Sequence, residues 1–220
     1  MAAAWDLVRE HGLDGLSMRD LGDRVGMRAQ SVYSYFASKL EIYDAMFLEG
    51  FQAFAERMDE AVDDDRLASE PVATAKGVAR AFVEFCTSDP ARYQLLFLRT
   101  IPGFAPSAAS YAVSEQSYER MAEELAIVGV SGQAWLDIWT AMLTGLASQQ
   151  ISNDPGGDRW KQLVDPVVEM LLREAGTRDT TDTAPETGTG TGTAPTTTTS
   201  TDNNGVVEPD SANPNESEQP

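Results

Sequence analysis

Apolar residues recur along most of this chain at intervals of three and four, the period that gathers them on one face of a helix. No stretch alternates convincingly in the period of two that a half-buried strand requires. Glycine and proline cut the pattern into segments at Gly12, Gly26, Pro90, Pro102-Gly103, Pro106, Gly129 to Gly132 and Pro155-Gly156-Gly157. The spacing predicts about nine helices, near residues 2–11, 18–25, 29–35, 39–63, 70–87, 90–100, 107–127, 132–151 and 158–174. The first three are short and tightly connected, whereas the later ones are long. The expected fold class is therefore all-α: a small unit over residues 1–47 joined to a larger helical body over residues 48–175.

From residue 176 to residue 220 the pattern stops. This segment is Thr, Pro, Gly, Asn and acid with almost nothing to bury, and it cannot offset the entropy cost of ordering. A disordered, solvated acidic tail is expected. A glycosylated stalk is the other reading of such a composition, but the start of the chain lacks the basic segment and long apolar run of an export signal.

Composition narrows the function classes. Hydrophobic residues make up 42% of the chain, enough for a core. The single cysteine, Cys86, permits no internal disulfide, so an oxidising compartment gains no support. No stretch approaches the roughly 18 apolar residues of a membrane span, and a cytoplasmic protein without a membrane partner is expected. The formal net charge is −19; eight acids and one base fall in residues 176–220, leaving 27 acids and 15 bases in the rest. That balance opposes nonspecific binding to a polyanion, although a local cluster of cations can still decide. Chemistry of the enzymatic kind finds no support. The lone histidine, His11, ends a predicted helix and suits a C-terminal cap, and one Cys with one His does not make a zinc site of the usual kind. There is no phosphate-cradling glycine loop, and Asp63-Asp64-Asp65 reads as a solvated helix end. No catalytic set, metal or cofactor is expected.

The N-terminal unit carries the more specific signals. Ser17-Met18-Arg19-Asp20 has the form of a capping box, Leu21 and Val25 give an inward stripe, and Gly26 closes the helix before a very tight turn. This is helix–turn–helix spacing. On the next helix Val32 and Phe36 share an inward face near Ala29, Gln30, Ser31 and Ser34 project oppositely, and Tyr33 and Tyr35 flank the edges. Small polar groups between tyrosines suit approach to a base-lined groove, amide to base edge and phenol to phosphate. Ser38-Lys39-Leu40-Glu41 is a second capping box, opening a long fourth helix. Arg19, Arg28 and Lys39 thus collect three cations at three helix starts.

The segment LSMRDLGDRVGMRAQSVYSYFASKLEIYDAM, Leu16 to Met46, resembles the DNA-binding head of TetR-type transcriptional regulators. The resemblance implies a homodimer that holds a palindromic double-stranded DNA operator, acts as a repressor and lets go when a small-molecule effector enters the larger domain. It also implies contacts residue by residue. Arg19 would reach DNA from the second helix, and Arg28, Ala29 and Gln30 would read base edges from the first turn of the recognition helix. Ser31, Tyr33 and Tyr35 would hold the phosphate backbone, with Lys39 on a phosphate at the start of the fourth helix. Arg28 stands where a capping Ser or Thr is common, and Ala29 offers only a methyl group, so Gln30 is the best candidate for a bidentate base contact. In the family the first helix normally begins several residues earlier, so this chain is expected to start within it. Effector binding would shift the angle of the fourth helix and the separation of two recognition helices, which must match half-sites about 34–36 Å apart. The competing reading is an all-helical small-molecule-binding dimer with weak or lost DNA binding, which the acidity favours.

In the body, the resemblance implies a ligand pocket among Phe82, Phe85, Cys86, Phe97, Phe104, Tyr111, Tyr118 and Met121; the residues themselves read equally as ordinary core. Trp135, Trp139, Met142 and Leu146 lie at i, i+4, i+7 and i+11, a spacing repeated by Trp160, Val164, Val167 and Leu171. These stripes either meet their two-fold copies as a four-helix bundle, the family's usual dimer seam, or pack within one chain. Pro166 is expected to kink the last helix or to restart it with Asp165 as cap.

Overall fold

The computed structural model describes residues 1–62 and 64–179. Asp63 and almost all of the expected tail lie outside the described residues. Those described are all helical, with no strand among them: α1 (Ala2–His11), α2 (Met18–Val25), α3 (Ala29–Val32), α4 (Lys39–Ala61), α5 (Asp64–Ser69), α6 (Pro71–Ser88), α7 (Pro90–Phe97), α8 (Ala108–Ile127), α9 (Gln133–Asn153) and α10 (Val164–Asp179), the last preceded by a 3-10 turn at Lys161–Leu163.

The first three helices are set by local chemistry. Ser17 Oγ accepts the Asp20 N–H at 3.1 Å and starts α2, while Gly26, in the left-handed region at φ 70°, ends it. Gly22 has a different task. A Cβ there would lie 2.8 Å from the Met27 carbonyl oxygen and 3.2 Å from the Ala29 nitrogen, so only glycine lets the turn fold back this closely onto α2. His11 does not cap α1 with its side chain; the closing bond runs from the Gly12 N–H to the Val8 carbonyl. Trp5, Val8, Leu16, Leu21, Val32, Ile42, Tyr43 and Met46 interlock as the core beneath, with Phe36 packed against it as expected. Val25 shares the inward face of Leu21 but is 47% exposed, because it is the last helical residue and lies past the contact.

Helix α4 starts in that core and continues unbroken into the body, so position 47/48 falls inside one helix. Its later residues Phe47, Phe51 and Phe54 pack with Phe85, Cys86, Tyr93 and Leu96 of α6 and α7. A second core joins α6, α9 and α10 through Ala79, Val83, Leu136, Trp139, Leu143, Val164, Val168 and Leu171. α4 ends at Ala61, where Val62 turns to extended backbone, and the unexpected short α5 follows. Pro166 does not kink α10: it sits in the first turn, where its missing N–H has no intrahelical partner to lose. Asp165 does not cap that helix with its carboxylate, which pairs with both Arg80 Nε and an Arg80 terminal nitrogen at 2.6 Å; the guanidinium holds its pKa below the usual carboxylate value.

Cys86 is wholly buried, and burial pushes its thiol pKa upward, disfavouring the reactive thiolate. A disulfide reagent such as DTNB should therefore leave the native chain unmodified over hours and titrate one thiol after denaturation. Rapid native reaction would show the α6–α7 core to be open.

Candidate functional site

Of the residues expected to meet DNA, Arg19, Arg28, Gln30, Tyr33 and Tyr35 are exposed, whereas Ala29, Ser31 and Lys39 are half-buried. Arg19 projects from the first turn of α2, its side chain 85% exposed, with Asp23 at 3.9 Å as its charged neighbour. Arg28 occupies the N-cap position of α3 in extended backbone and makes no side-chain cap bond, as its charge suggested. Gln30 is exposed, Ala29 and Ser31 are half-buried, and Tyr33 and Tyr35 are 53% and 73% exposed. Behind them Val32 is buried, fixing which side faces out.

α3 is shorter than the period predicted. Beyond Val32 the backbone tightens into i→i+3 bonds, Ser34 N–H to the Ser31 carbonyl at 3.2 Å and Tyr35 N–H to that of Val32 at 3.0 Å, and Ser34 Oγ also donates to the Ser31 carbonyl. A serine bonding back to its own turn competes with helix continuation. Lys39 is placed less freely than expected. Its Nζ donates to the Asp14 carbonyl at 2.8 Å and stands 5.4 Å from the centre of the Tyr43 ring. An ammonium has three donors, so phosphate can still be met. The Tyr43 hydroxyl donates to the Leu13 carbonyl, and burial, with the nearby Asp14, pushes its pKa up to about 12, which keeps it a neutral donor.

Charge pairing decides what the head offers. Residues 1–47 contain five cations, Arg9, Arg19, Arg24, Arg28 and Lys39, against seven acids. Arg24 is engaged by both oxygens of Glu10, and Arg9 by Asp89 at 2.8 Å. Arg19, Arg28 and Lys39, at the starts of three consecutive helices, are the remaining cations of the head.

A second site lies in the body. A cavity of about 500 Å³, open to the surface on one side, is lined by α4, α6, α7, α8 and α9. Of the expected lining, Phe82, Phe97, Tyr111, Tyr118 and Met121 are present. Phe85 and Cys86 are not; they are buried in the α4–α6–α7 core, further along α6 than the lining residues Val78 and Phe82. Phe104 is also absent, because it packs edge-on against Tyr43 and Phe47 nearer the head. The sequence reading missed Phe51, Phe54 and Met58 of α4 and Leu143 of α9, which complete the apolar wall. The missed signal was the i, i+4, i+7, i+11 spacing of Phe47, Phe51, Phe54 and Met58. The acids Asp59, Glu115, Glu119 and Glu124, with Arg120, were missed as well.

The expected dimer stripes are placed in the chain's own core. Trp139, Leu146, Val164 and Leu171 are buried there, with Trp135, Met142, Trp160 and Val167 packed against them. The physical reason is size: these large side chains fill the space between α6, α9 and α10. The face left open on α9 is instead Ala134, Asp137, Ile138, Ala141 and Gly145, and on α10 it includes Pro166 and Met170.

Residues 1–46 match the model of the family described as bacterial regulatory proteins, tetR family. The HTH-type transcriptional regulator Rv1816 of Mycobacterium tuberculosis (strain ATCC 25618 / H37Rv) is 31% identical over 98 residues, which cover 43% of this chain and 40% of that relative; the match thus spans less than half of its length. The HTH-type transcriptional repressor Rv1353c of the same strain is 24% identical over 199 residues, covering 84% of this chain and 72% of the repressor. Among solved structures, the fatty acid degradation regulator FadR from Bacillus halodurans superposes with a TM-score of 0.62 at 16% identity, over 78% of this chain and 91% of its own length, a likeness of fold.

Proposed function

With a head that matches the tetR family of bacterial regulatory proteins over residues 1–46, we propose that this chain is a cytoplasmic transcriptional repressor, which binds a palindromic operator as a homodimer and releases it when a small molecule fills the body cavity. One observation carries the reading: α4 is a single helix that bears Lys39 at its start in the head and Phe51, Phe54 and Met58 in the cavity wall. At about 1.5 Å per residue it forms a rod about 34 Å long, so a sideways displacement at the cavity end must move the other end. The ligand therefore needs differential affinity for only two positions of one helix. The open, nearly uncharged face of α9 supports the second copy, and its position moves the proposed seam one residue around from the tryptophan stripe.

In the head, Gln30 is the base reader, Arg28 adds charge beside it, and Tyr33, Tyr35, Arg19 and Lys39 hold phosphate. With three such cations and a net acidic chain, binding should be sequence-specific, steeply salt-dependent and poor on random DNA. The test is fluorescence anisotropy on labelled DNA from the promoter region of the chain's own gene, titrated with salt. Gln30→Ala should narrow the gap between operator and scrambled DNA by about 1–3 kcal/mol, whereas Lys39→Ala should weaken both alike and reduce the salt slope by about one. Parent-like binding by both variants would overturn the contact assignment. Should the parent hold no double-stranded DNA even at low salt, the reading of a helical ligand-binding dimer replaces this one.

A further inference from the structure

The chemistry of the cavity selects among ligands. Its inner wall is aromatic and aliphatic: Phe54 meets Phe51, Phe82 and Phe97 in T-shaped contacts at 5.9, 5.9 and 5.4 Å, with Met58 and Leu143 beside them. Its polar groups are nearly all acceptors. Four carboxylates line it, Asp59, Glu115, Glu119 and Glu124, against one cation. That cation, Arg120, is bound to Asp59 at 2.8 Å and to Glu124 at 3.0 Å. The hydroxyls of Ser114, Ser117 and Thr140 donate back to the carbonyls of Tyr111, Val113 and Leu136 in their own helices. Among the described lining residues, then, the one cation and the serine and threonine hydroxyls are already engaged, while Glu115 and Glu119 add two further negative charges.

Glu115 and Glu119 stand out within this set. They lie four residues apart on α8, both exposed, an arrangement that repels by a few tenths of a kcal/mol in an isolated helix. Tyr111 and Tyr118 share their face at i, i+4, i+7 and i+8, with rings 47% and 36% exposed although both line the cavity. The Tyr118 hydroxyl accepts from Gln133 Nε2 at 2.9 Å, which fixes that ring. Two aromatic rings alternating with two carboxylates form a surface for a cation, attractive through the ring faces and through charge. The rings would pack against any hydrophobe, but the two carboxylates repel an anion and gain nothing from a neutral one.

Resting on the reading of this cavity as the effector site, we propose that the effector is a hydrophobic organic cation. Its apolar body lies among Phe51, Phe54, Phe82 and Phe97, and its positive group lies at the mouth between Tyr111, Tyr118, Glu115 and Glu119. A volume near 500 Å³ suits a single drug-sized molecule. Binding of the cation also removes the repulsion along α8.

A pair of probes of matched shape and opposite charge tests this: tetraphenylphosphonium and tetraphenylborate, titrated calorimetrically into the full chain at low ionic strength. The cation should bind at least about tenfold more tightly than the anion. The double variant Glu115→Gln, Glu119→Gln should bring the ratio toward one. Glu123→Gln, on the same helix but outside the cavity, should leave it unchanged, which separates the site from the general acidity of the chain. Equal or tighter binding of the anion, or a ratio that survives the double variant, would overturn the cationic class while leaving the cavity as the effector site. If neither probe binds and the parent's operator affinity ignores both, the cavity reading itself falls.

Discussion

Replacing Ile138 with arginine is expected to give a folded monomer that binds operator about 10²–10⁴-fold more weakly, because the second half-site is no longer delivered at high effective concentration. The expectation comes from α9. Across the 21 residues Gln133–Asn153 there is one charged residue, Asp137, and a helix facing water on one side normally carries many. Its open face runs Ala134, Asp137, Ile138, Ala141 and Gly145, so that single carboxylate is its only charge, and Ile138 is 40% exposed. Gly145 is informative. A mid-helix glycine costs about 1 kcal/mol relative to alanine, and a Cβ there would meet nothing within 4 Å in this chain. Its own fold gives no reason for glycine, whereas close approach of a partner helix does. Gly145→Leu should accordingly leave the monomer intact and force the two copies apart. Sedimentation should give half the parent mass for either variant, with circular dichroism unchanged. Dimeric mass retained by both would sink the proposed seam.

Local signals made the head legible. The two capping serines, Ser17 and Ser38, accept the N–H groups of Asp20 and Glu41, and Gly26 takes the left-handed conformation; each depends on a few adjacent residues. Gly22 was not legible, because its purpose is the approach of a backbone five to seven residues on. In the body, periodicity told which residues share a face but not which face turns inward. α9 has two apolar faces, the tryptophan stripe and the small-residue stripe, and the larger filled the chain's own core. The shortage of charge on the second face is what the proposed partner helix accounts for. The cavity was half legible for a related reason. A cavity is what neighbouring helices leave unfilled, so Phe85 and Phe82, three apart on α6, end in core and lining respectively.

Asp44→Ala is expected to leave affinity for effector and for operator each within about threefold of the parent, yet to reduce the effect of one on the other, because α8 gives the ligand a second hold on α4 beside the phenylalanine wall. Coupling of this kind is typically about 5–150-fold in affinity, and the variant should bring it toward one. Asp44 sits on α4 within the head, and its carboxylate clasps the start of α8. Oδ1 accepts the Ser107 N–H at 2.7 Å, and Oδ2 accepts the hydroxyls of Ser107 at 2.9 Å and Ser110 at 3.0 Å. Ser107 is also the N-cap of α8, accepting from the Ser110 N–H, so the clasp holds the end of the helix and not a loose loop. That same helix presents Tyr111, Glu115 and Tyr118 to the cavity. A ligand that moves α8 must therefore drag α4 through a charged acceptor at a helix N-terminus, where the interaction is strongest. Asp44→Asn keeps one acceptor oxygen without the charge and should fall between parent and alanine. The measurement is operator affinity with and without saturating tetraphenylphosphonium, followed by any other compound that shifts the parent. An unchanged ratio in Asp44→Ala would mean that the phenylalanines of α4 carry the signal directly, with α8 as a passive wall.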